Sequence, residues 1–198
     1  KFMMIRVVTD SVASLPQDLV EDLNIVSKLE YDSQPMNIET IQVVPFARGI
    51  VADYLNTGID VQYDLEFFDT PTVQECAIQG DERLLRRAVR NLIDNAMRHN
   101  GEGCKIALSL DVEPSSMLAL TVADNGRGCD TSRIGALMAQ ASTPDASYDA
   151  HGLGLTLVSR ISIMHGGYVS FASEPGRGFT ATMRIPIAIR QDEPPRTK

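Results

Sequence analysis

The sequence has no tryptophan and few aromatic residues, 6% of the chain, so its core must be built mainly from aliphatic side chains. Cysteine is nearly as scarce. Cys76, Cys104 and Cys129 form an odd set without metal-ligand or disulfide-framework spacing, and they read as free thiols of a reducing cytoplasm. Positive charge is outweighed, 18 Lys and Arg against 26 Asp and Glu, for a formal net charge of −8. That balance argues against a general nucleic-acid or anionic-membrane surface and leaves room for a local anion site. No apolar run approaches the length of a membrane span, and no signal peptide is visible. Neither standard phosphate fingerprint is present: there is no Walker A spacing and no strand–turn–helix Gly-x-Gly-x-x-Gly. The chain opens at Lys1 rather than at a methionine, and the expectation is a piece of something longer.

What is there centres on Asp81–Asn100. Leu84, Leu85, Ala88, Val89, Leu92, Ile93 and Ala96 recur at helical spacing, with Asp81 as N-cap and Asn100-Gly101 as the stop. Asn91, Asn95, Arg98 and His99 lie three or four residues apart and share a polar face. Asparagine is a poor helix former because its amide competes for backbone bonds. Taken alone, the stripe is as well explained by an exposed polar face as by a site.

The flanking pattern predicts strands over 37–44, 59–67 and 75–79, with a helix over 45–56. After the Asp81 helix come strands over 104–112 and 117–123, joined as a hairpin through Glu113-Pro114-Ser115-Ser116. Residues 124–150 form a long loop rich in Gly, Ser, Ala and Asp, with one short helix around 133–139; a loop of this length is usually functional. A helix over 152–164 ends at Gly166-Gly167, and strands over 168–172 and 178–187 follow. The order gives an α+β fold, with helices layered on one face of a mixed, mostly antiparallel sheet. Between Ile5 and Leu29 apolar residues alternate in steps of three and four, a coiled-coil seam interrupted by Pro16. Residues 1–34 therefore read as an N-terminal helix and linker, 35–189 as the main domain, and 190–198 as a disordered tail.

Three glycine clusters carry the chemistry: Asp124-Asn125-Gly126-Arg127-Gly128, His151-Gly152-Leu153-Gly154-Leu155 and Gly176-Arg177-Gly178. The second opens a helix, where free N–H groups and the positive dipole end suit a phosphate, and glycine lets the backbone approach closely. In the first, Asp124 ends an apolar strand, where its carboxylate can accept from an exocyclic amine such as that of adenine.

Taken together and in order, these motifs resemble the nucleotide-binding domain of sensor histidine kinases. Those kinases belong to the wider superfamily that includes gyrase, mismatch-repair and heat-shock chaperone ATPases. The resemblance runs from about Ile38 to Pro186 and implies the two-layer α/β sandwich of the Bergerat ATP-binding fold, with ATP and Mg²⁺ as cofactors. By that resemblance Asn91–Ala96 is the N box, where Asn95 ligates Mg²⁺ with help from Asn91; an amide carbonyl is a hard oxygen ligand that suits this ion. Arg98 and His99 stand where the family reaches the phosphates or ribose. Asp124, Gly126 and Gly128 match the adenine-reading G1 box. Gly152, Leu153, Gly154 and Leu155 match the G2 box at the phosphates, Gly176 and Gly178 match the G3 box, and 124–150 becomes the ATP lid. Thr180 is assigned to the nucleotide as the neighbour of Phe179, which stands where the family often has Thr. The lid lacks the family's Phe-rich box; Leu137 and Met138 are its nearest apolar candidates.

The resemblance also implies partners. Residues 1–30 match the second helix of the dimerisation and phosphoacceptor hairpin, which makes the longer protein a homodimer. The acceptor histidine, followed by an acidic residue, is expected on a missing upstream helix, beyond membrane spans. This chain would then be the cytoplasmic portion of a membrane-anchored bacterial sensor kinase that passes phosphate to a response regulator. His165, just before Gly166-Gly167, reads as a cationic or polar residue at a helix C-terminus. Asn91 stands where hydrolytic cousins carry a water-activating Glu, and an amide is no base at neutral pH, so slow hydrolysis is expected. An anti-sigma-factor-type serine kinase and a catalytically inactive ATP-binding module are the alternatives.

Overall fold

The computed structural model describes residues 35–59, 62–130, 132, 135 and 153–190. The N-terminal seam, the tail over 191–198 and, apart from Gly135, the expected lid helix around 133–139 lie outside the described residues. The elements run β1 (Glu39–Gln42), α1 (Val43–Leu55), β2 (Asp64–Asp69), a 3-10 turn (Pro71–Val73), β3 (Cys76–Gly80), α2 (Glu82–His99), β4 (Lys105–Val112), β5 (Met117–Asp124), α3 (Leu153–Met164), β6 (Tyr168–Ser173) and β7 (Phe179–Arg190).

Three boundaries differ from expectation for local reasons. Helix α1 begins at Val43 and shortens the strand before it. Val43, Phe46, Ala47, Ile50, Val51 and Tyr54 recur at helical spacing and are all buried. Pro45 sits in the first turn, where its missing N–H would have no intrahelical partner. Strand β2 starts only at Asp64, because the Ile59 carbonyl accepts from the Gln62 and Tyr63 N–H groups in a turn. Arg190, expected in the tail, instead closes β7 opposite Cys76.

The sheet order is β1-β3-β7-β5-β4-β2, with β6 also on β7. Every pairing is antiparallel except β2 with β4. That pair is parallel because β3 and α2 lie between its strands in sequence, a crossover long enough to bring the chain back in the same direction. Strand β7 is the spine: β5 runs along one side, while β6 and then β3 share the other.

One face of the sheet carries Ile106, Leu108 and Leu110 of β4, Leu118, Leu120 and Val122 of β5, and Ala181, Met183 and Ile185 of β7. These join one core with Ile50 of α1, Leu85 and Ile93 of α2, and Leu157 and Ile161 of α3. Each such aliphatic side chain contributes about 1.5–3 kcal/mol on burial. The other face is polar. The Thr121 and Thr182 hydroxyls pair at 3.1 Å, and Arg184 donates from Nε to Glu113 at 2.8 Å and from Nη1 to the Ser170 hydroxyl at 2.7 Å. Among the described residues no helix is long and apolar enough to cross a membrane.

Candidate functional site

Helix α2 is held at both ends by side chains. At its start Asp81 is the N-cap, and its Oδ1 accepts from the Leu84 N–H at 3.1 Å. Oδ2 accepts from the Asn37 N–H at 3.1 Å, and the Asp81 N–H donates to His165 Nε2 at 3.0 Å. Since Nε2 accepts, Nδ1 carries the proton and donates to the Ile161 carbonyl at 2.7 Å. His165 is therefore a neutral acceptor that ties the end of α3 to the start of α2, which is the polar rather than the cationic of the two expected roles. Burial pushes its pKa below the ordinary 6.5, against smaller upward pulls from the Ile161 carbonyl and the Asp81 charge.

A pH dependence follows. A depressed folded-state pKa means the unfolded chain takes up the proton first, so stability rises with pH across the gap. His165 contributes fully above the unfolded imidazole value, and that contribution is lost as pH falls from there toward the lower folded value. Thermal melts at about pH 7.5 and about pH 5 should show a drop that His165→Gln, which cannot titrate, reduces; equal drops in both chains would refute the assignment.

Along the polar stripe, Asn91 is buried, at 9% exposure, under the first turn of α3. A Cβ added at Gly154 would lie 3.8 Å from Asn91 Cγ, so Gly154 of the second glycine cluster lies against the first Asn of the stripe. Asn95 is half-buried and Arg98 exposed, and neither side chain makes a hydrogen bond or ion pair among the described residues. His99 is half-buried and engaged. Beside Asn95, the Asp94 carboxylate accepts from the Tyr54 hydroxyl of α1, and Arg90 lies over the same ring at 5.3 Å. Burial, then the Asp94 charge, raises the Tyr54 pKa well above that of an ordinary phenol, so Tyr54 stays a donor that anchors α1 to α2.

Asp124 ends β5 on the helix-covered face, in step with Leu118, Leu120 and Val122. Its Oδ1 accepts from the Gly126 N–H at 2.9 Å and the Phe179 N–H at 3.3 Å. Oδ2 takes no hydrogen bond among the described residues. The first and third glycine clusters interlock behind it. Gly128, at φ 60°, lies where a Cβ would come within 2.1 Å of the Glu174 carbonyl; Gly178, at φ 88°, would bring one within 1.8 Å of the Asp124 carbonyl. Ser173, which sequence reasoning missed, bridges them: its hydroxyl donates to the Gly178 carbonyl at 2.6 Å and accepts from the Cys129 N–H at 2.8 Å. Asn100 joins α2 to the same turn, accepting from the Arg127 N–H at 3.1 Å. A cleft of about 480 Å³ opens there, between His99, Glu102 and the turn over 125–127.

Two further candidate residues, Thr180 and Leu155, have defined orientations. Thr180 lies one residue from Phe179 along β7 and so faces the opposite side. Phe179 packs on the core and lies against Phe171, with ring centroids 5.7 Å apart, while Thr180 shares the polar face with Thr182 and Arg184. It is Phe179 that stands beside Asp124. Leu155 is buried in the core at 6% exposure, so only its backbone N–H, in the first turn of α3, can serve a ligand. Gly152 and the Leu153 side chain lie outside the described residues. Cys76, Cys104 and Cys129 are not joined in disulfides. Burial and the Asp124 charge push the Cys104 thiol up, so it stays protonated and unreactive.

This arrangement has relatives. Over residues 80–189 the chain matches the family described as histidine kinase-, DNA gyrase B-, and HSP90-like ATPases. It is 30% identical to sensor histidine kinase YvrG of Bacillus subtilis over 169 residues, 83% of this chain and 28% of that protein. It is 31% identical to sensor protein BasS of Escherichia coli over 185 residues, 92% of this chain and 49% of that one. The chain thus spans half or less of the length of these curated relatives. Among solved structures, full-length ShkA in complex with AMPPNP superposes with a TM-score of 0.72 at 22% identity, over 87% of this chain and 36% of that one. At that identity the likeness speaks to the fold. The family match takes in more than half of the chain, and the chain therefore belongs to this ATPase family, as a catalytic ATP-binding domain of the histidine kinase type.

Proposed function

We propose that this domain binds Mg-ATP and positions its γ-phosphate for transfer to a histidine on another segment of a sensor kinase, for relay to a response regulator. The observation that carries the reading is the meeting of Asn91 with Gly154. It joins the asparagine stripe of α2 to the first turn of α3, where backbone N–H groups suit a phosphate. Asp124 marks the base end, with Oδ2 open to an exocyclic amine and Phe179 beside it as an apolar wall.

The donor set suits a hard cation and a triphosphate. Asn95 carries a half-buried amide oxygen with no partner among the described residues, which fits Mg²⁺, with Asn91 assisting. Arg98, unpaired among the described residues, is placed to meet phosphate charge. Bound Mg²⁺ would neutralise charge on the phosphates. The protein's own part is orientation and charge complementarity. Asn91 cannot take a proton from water, so the site lacks a base at that position and keeps ATP for transfer. On the same reading residues 1–30 pair with a second copy, and the acceptor helix lies upstream, with the domain on the cytoplasmic side.

Titration of the chain with Mg-ATP by calorimetry tests this. Asn95→Ala should weaken binding by at least about tenfold, equivalent to ~1.4 kcal/mol, and the gap should close when Mg²⁺ is replaced by a chelator. No binding by the unsubstituted chain, or no difference on substitution, would sink the reading.

A further inference from the structure

Asn100 and Gly126 have a relation that their separation in sequence hides. Asn100 stands just past the end of α2 with extended backbone, φ −123°. Its Nδ2 donates to the Ala96 carbonyl at 2.8 Å, one of the last carbonyls of the helix. Its Oδ1 accepts from the Arg127 N–H at 3.1 Å. The carboxamide thus spans from the helix end to the turn that follows Asp124. Gly126 lies directly beneath it: a Cβ there would come within 1.8 Å of Asn100 Oδ1 and 2.1 Å of Cγ. Gly126 is not among the positive-φ glycines, unlike Gly128 and Gly178. Its backbone would accept an L-residue, and the first obstacle to a side chain is Asn100 itself.

We propose that Asn100 is a positioning residue for the nucleotide site, and that Gly126 is glycine to seat its carboxamide. The Gly126 N–H donates to Asp124 Oδ1, so the turn that Asn100 holds in place also orients the Asp124 carboxylate. The rest of the turn is pinned from other directions: the Asn125 side chain accepts from the Lys105 N–H at 2.8 Å, and the Arg127 carbonyl accepts from the Gly176 N–H at 2.7 Å. Asn100 is the tie from α2, the helix that carries the asparagine stripe. It sets the distance between the base end of the site and the phosphate end. The consequence for binding rests on the proposed Mg-ATP function; the pairing of Asn100 with Gly126 does not.

The test is a double-substitution cycle on this chain, read by nucleotide affinity and by melting temperature. Asn100→Ala should lower the affinity for Mg-ATP and Mg-ADP by the same factor, about fivefold, the loss expected for one hydrogen bond, because the defect lies at the base end. Asn100→Asp, which keeps the acceptor for the Arg127 N–H, should retain affinity within about twofold while melting lower, since a negative charge at a helix C-terminus is unfavourable. Gly126→Ala alone should weaken binding more than Asn100→Ala. Combined with Asn100→Ala it should do no further harm, because the space is then open. Effects that simply add, or Gly126→Ala binding as the unsubstituted chain does, would overturn the proposal. If Asn100→Ala does not fold, the Asn100→Asp and Gly126→Ala results still decide it. Failure of the unsubstituted chain to bind any nucleotide would end the proposed function instead, and the melting cycle would still judge the pairing.

Discussion

Gly178→Ala should abolish nucleotide binding by this chain. Two independent penalties fall on the one added methyl. The backbone sits at φ 88°, a region that costs a side-chain-bearing residue about 1–2 kcal/mol. The methyl would also lie 1.8 Å from the Asp124 carbonyl and 3.1 Å from the Asn125 Cα. These are backbone atoms with no rotamer to change, so the turn itself must move, and it carries the carboxylate assigned to the base. The Ser173 bridge resists that movement from the other side. Together the effects should reach about 3 kcal/mol or more, lowering the melting temperature by roughly 6–12 °C at ~2–4 °C per kcal/mol for a domain of this size. Gly176→Ala is the control. Gly176 has φ 78° but open space around it, so it should show strain of about 1 kcal/mol and near-normal binding. Calorimetry and thermal melts on the two variants check this, and equal behaviour would remove the interlock argument.

Asp81→Ala should be a strongly damaging polar substitution remote from the nucleotide. Asp81 is 3% exposed, and its two carboxylate oxygens serve different segments, Leu84 in α2 and Asn37 ahead of β1. Loss of an N-cap is worth about 0.5–2 kcal/mol, and the untied Asn37 N–H adds about 1 kcal/mol. A total of about 1.5–3 kcal/mol implies a melting temperature lower by roughly 3–12 °C. Asp81→Ser keeps an N-cap acceptor without the second oxygen, so it should recover about half of the loss. A melting temperature for Asp81→Ala within about 1 °C of the unsubstituted chain would show that the cap is not supporting α2.

Much of this was legible before any tertiary structure. Asp81 as a cap and the buried face of α2 follow from helical period and side-chain chemistry within a few residues. Asp124 as a strand-end carboxylate follows from two-residue alternation. What the sequence left open shares a cause. Thr180 and Phe179 are neighbours at a strand end, and a one-residue difference in where β7 begins exchanges their faces. His165 could be read as cationic or merely polar at a helix C-terminus; its partner, the Asp81 N–H, which decides for the polar role, lies 84 residues away. Asn100 is the helix stop its sequence predicts, but nothing near it in sequence points to its second contact, with the turn at Gly126.

By itself, then, the sequence determined what depends on short range: the helices and strands, the apolar face of each, and the order of the Asn stripe and three glycine clusters that places the chain in its family. Only the tertiary structure decided what depends on which distant segments meet. It set β2 parallel to β4, seated Asn91 under Gly154, locked Gly128 and Gly178 against each other, and put the Asn100 carboxamide over Gly126. The physical reason is that periodicity and capping act within a turn or two of chain, whereas strand partners, sheet register and close backbone approach are settled by the packing of the whole core.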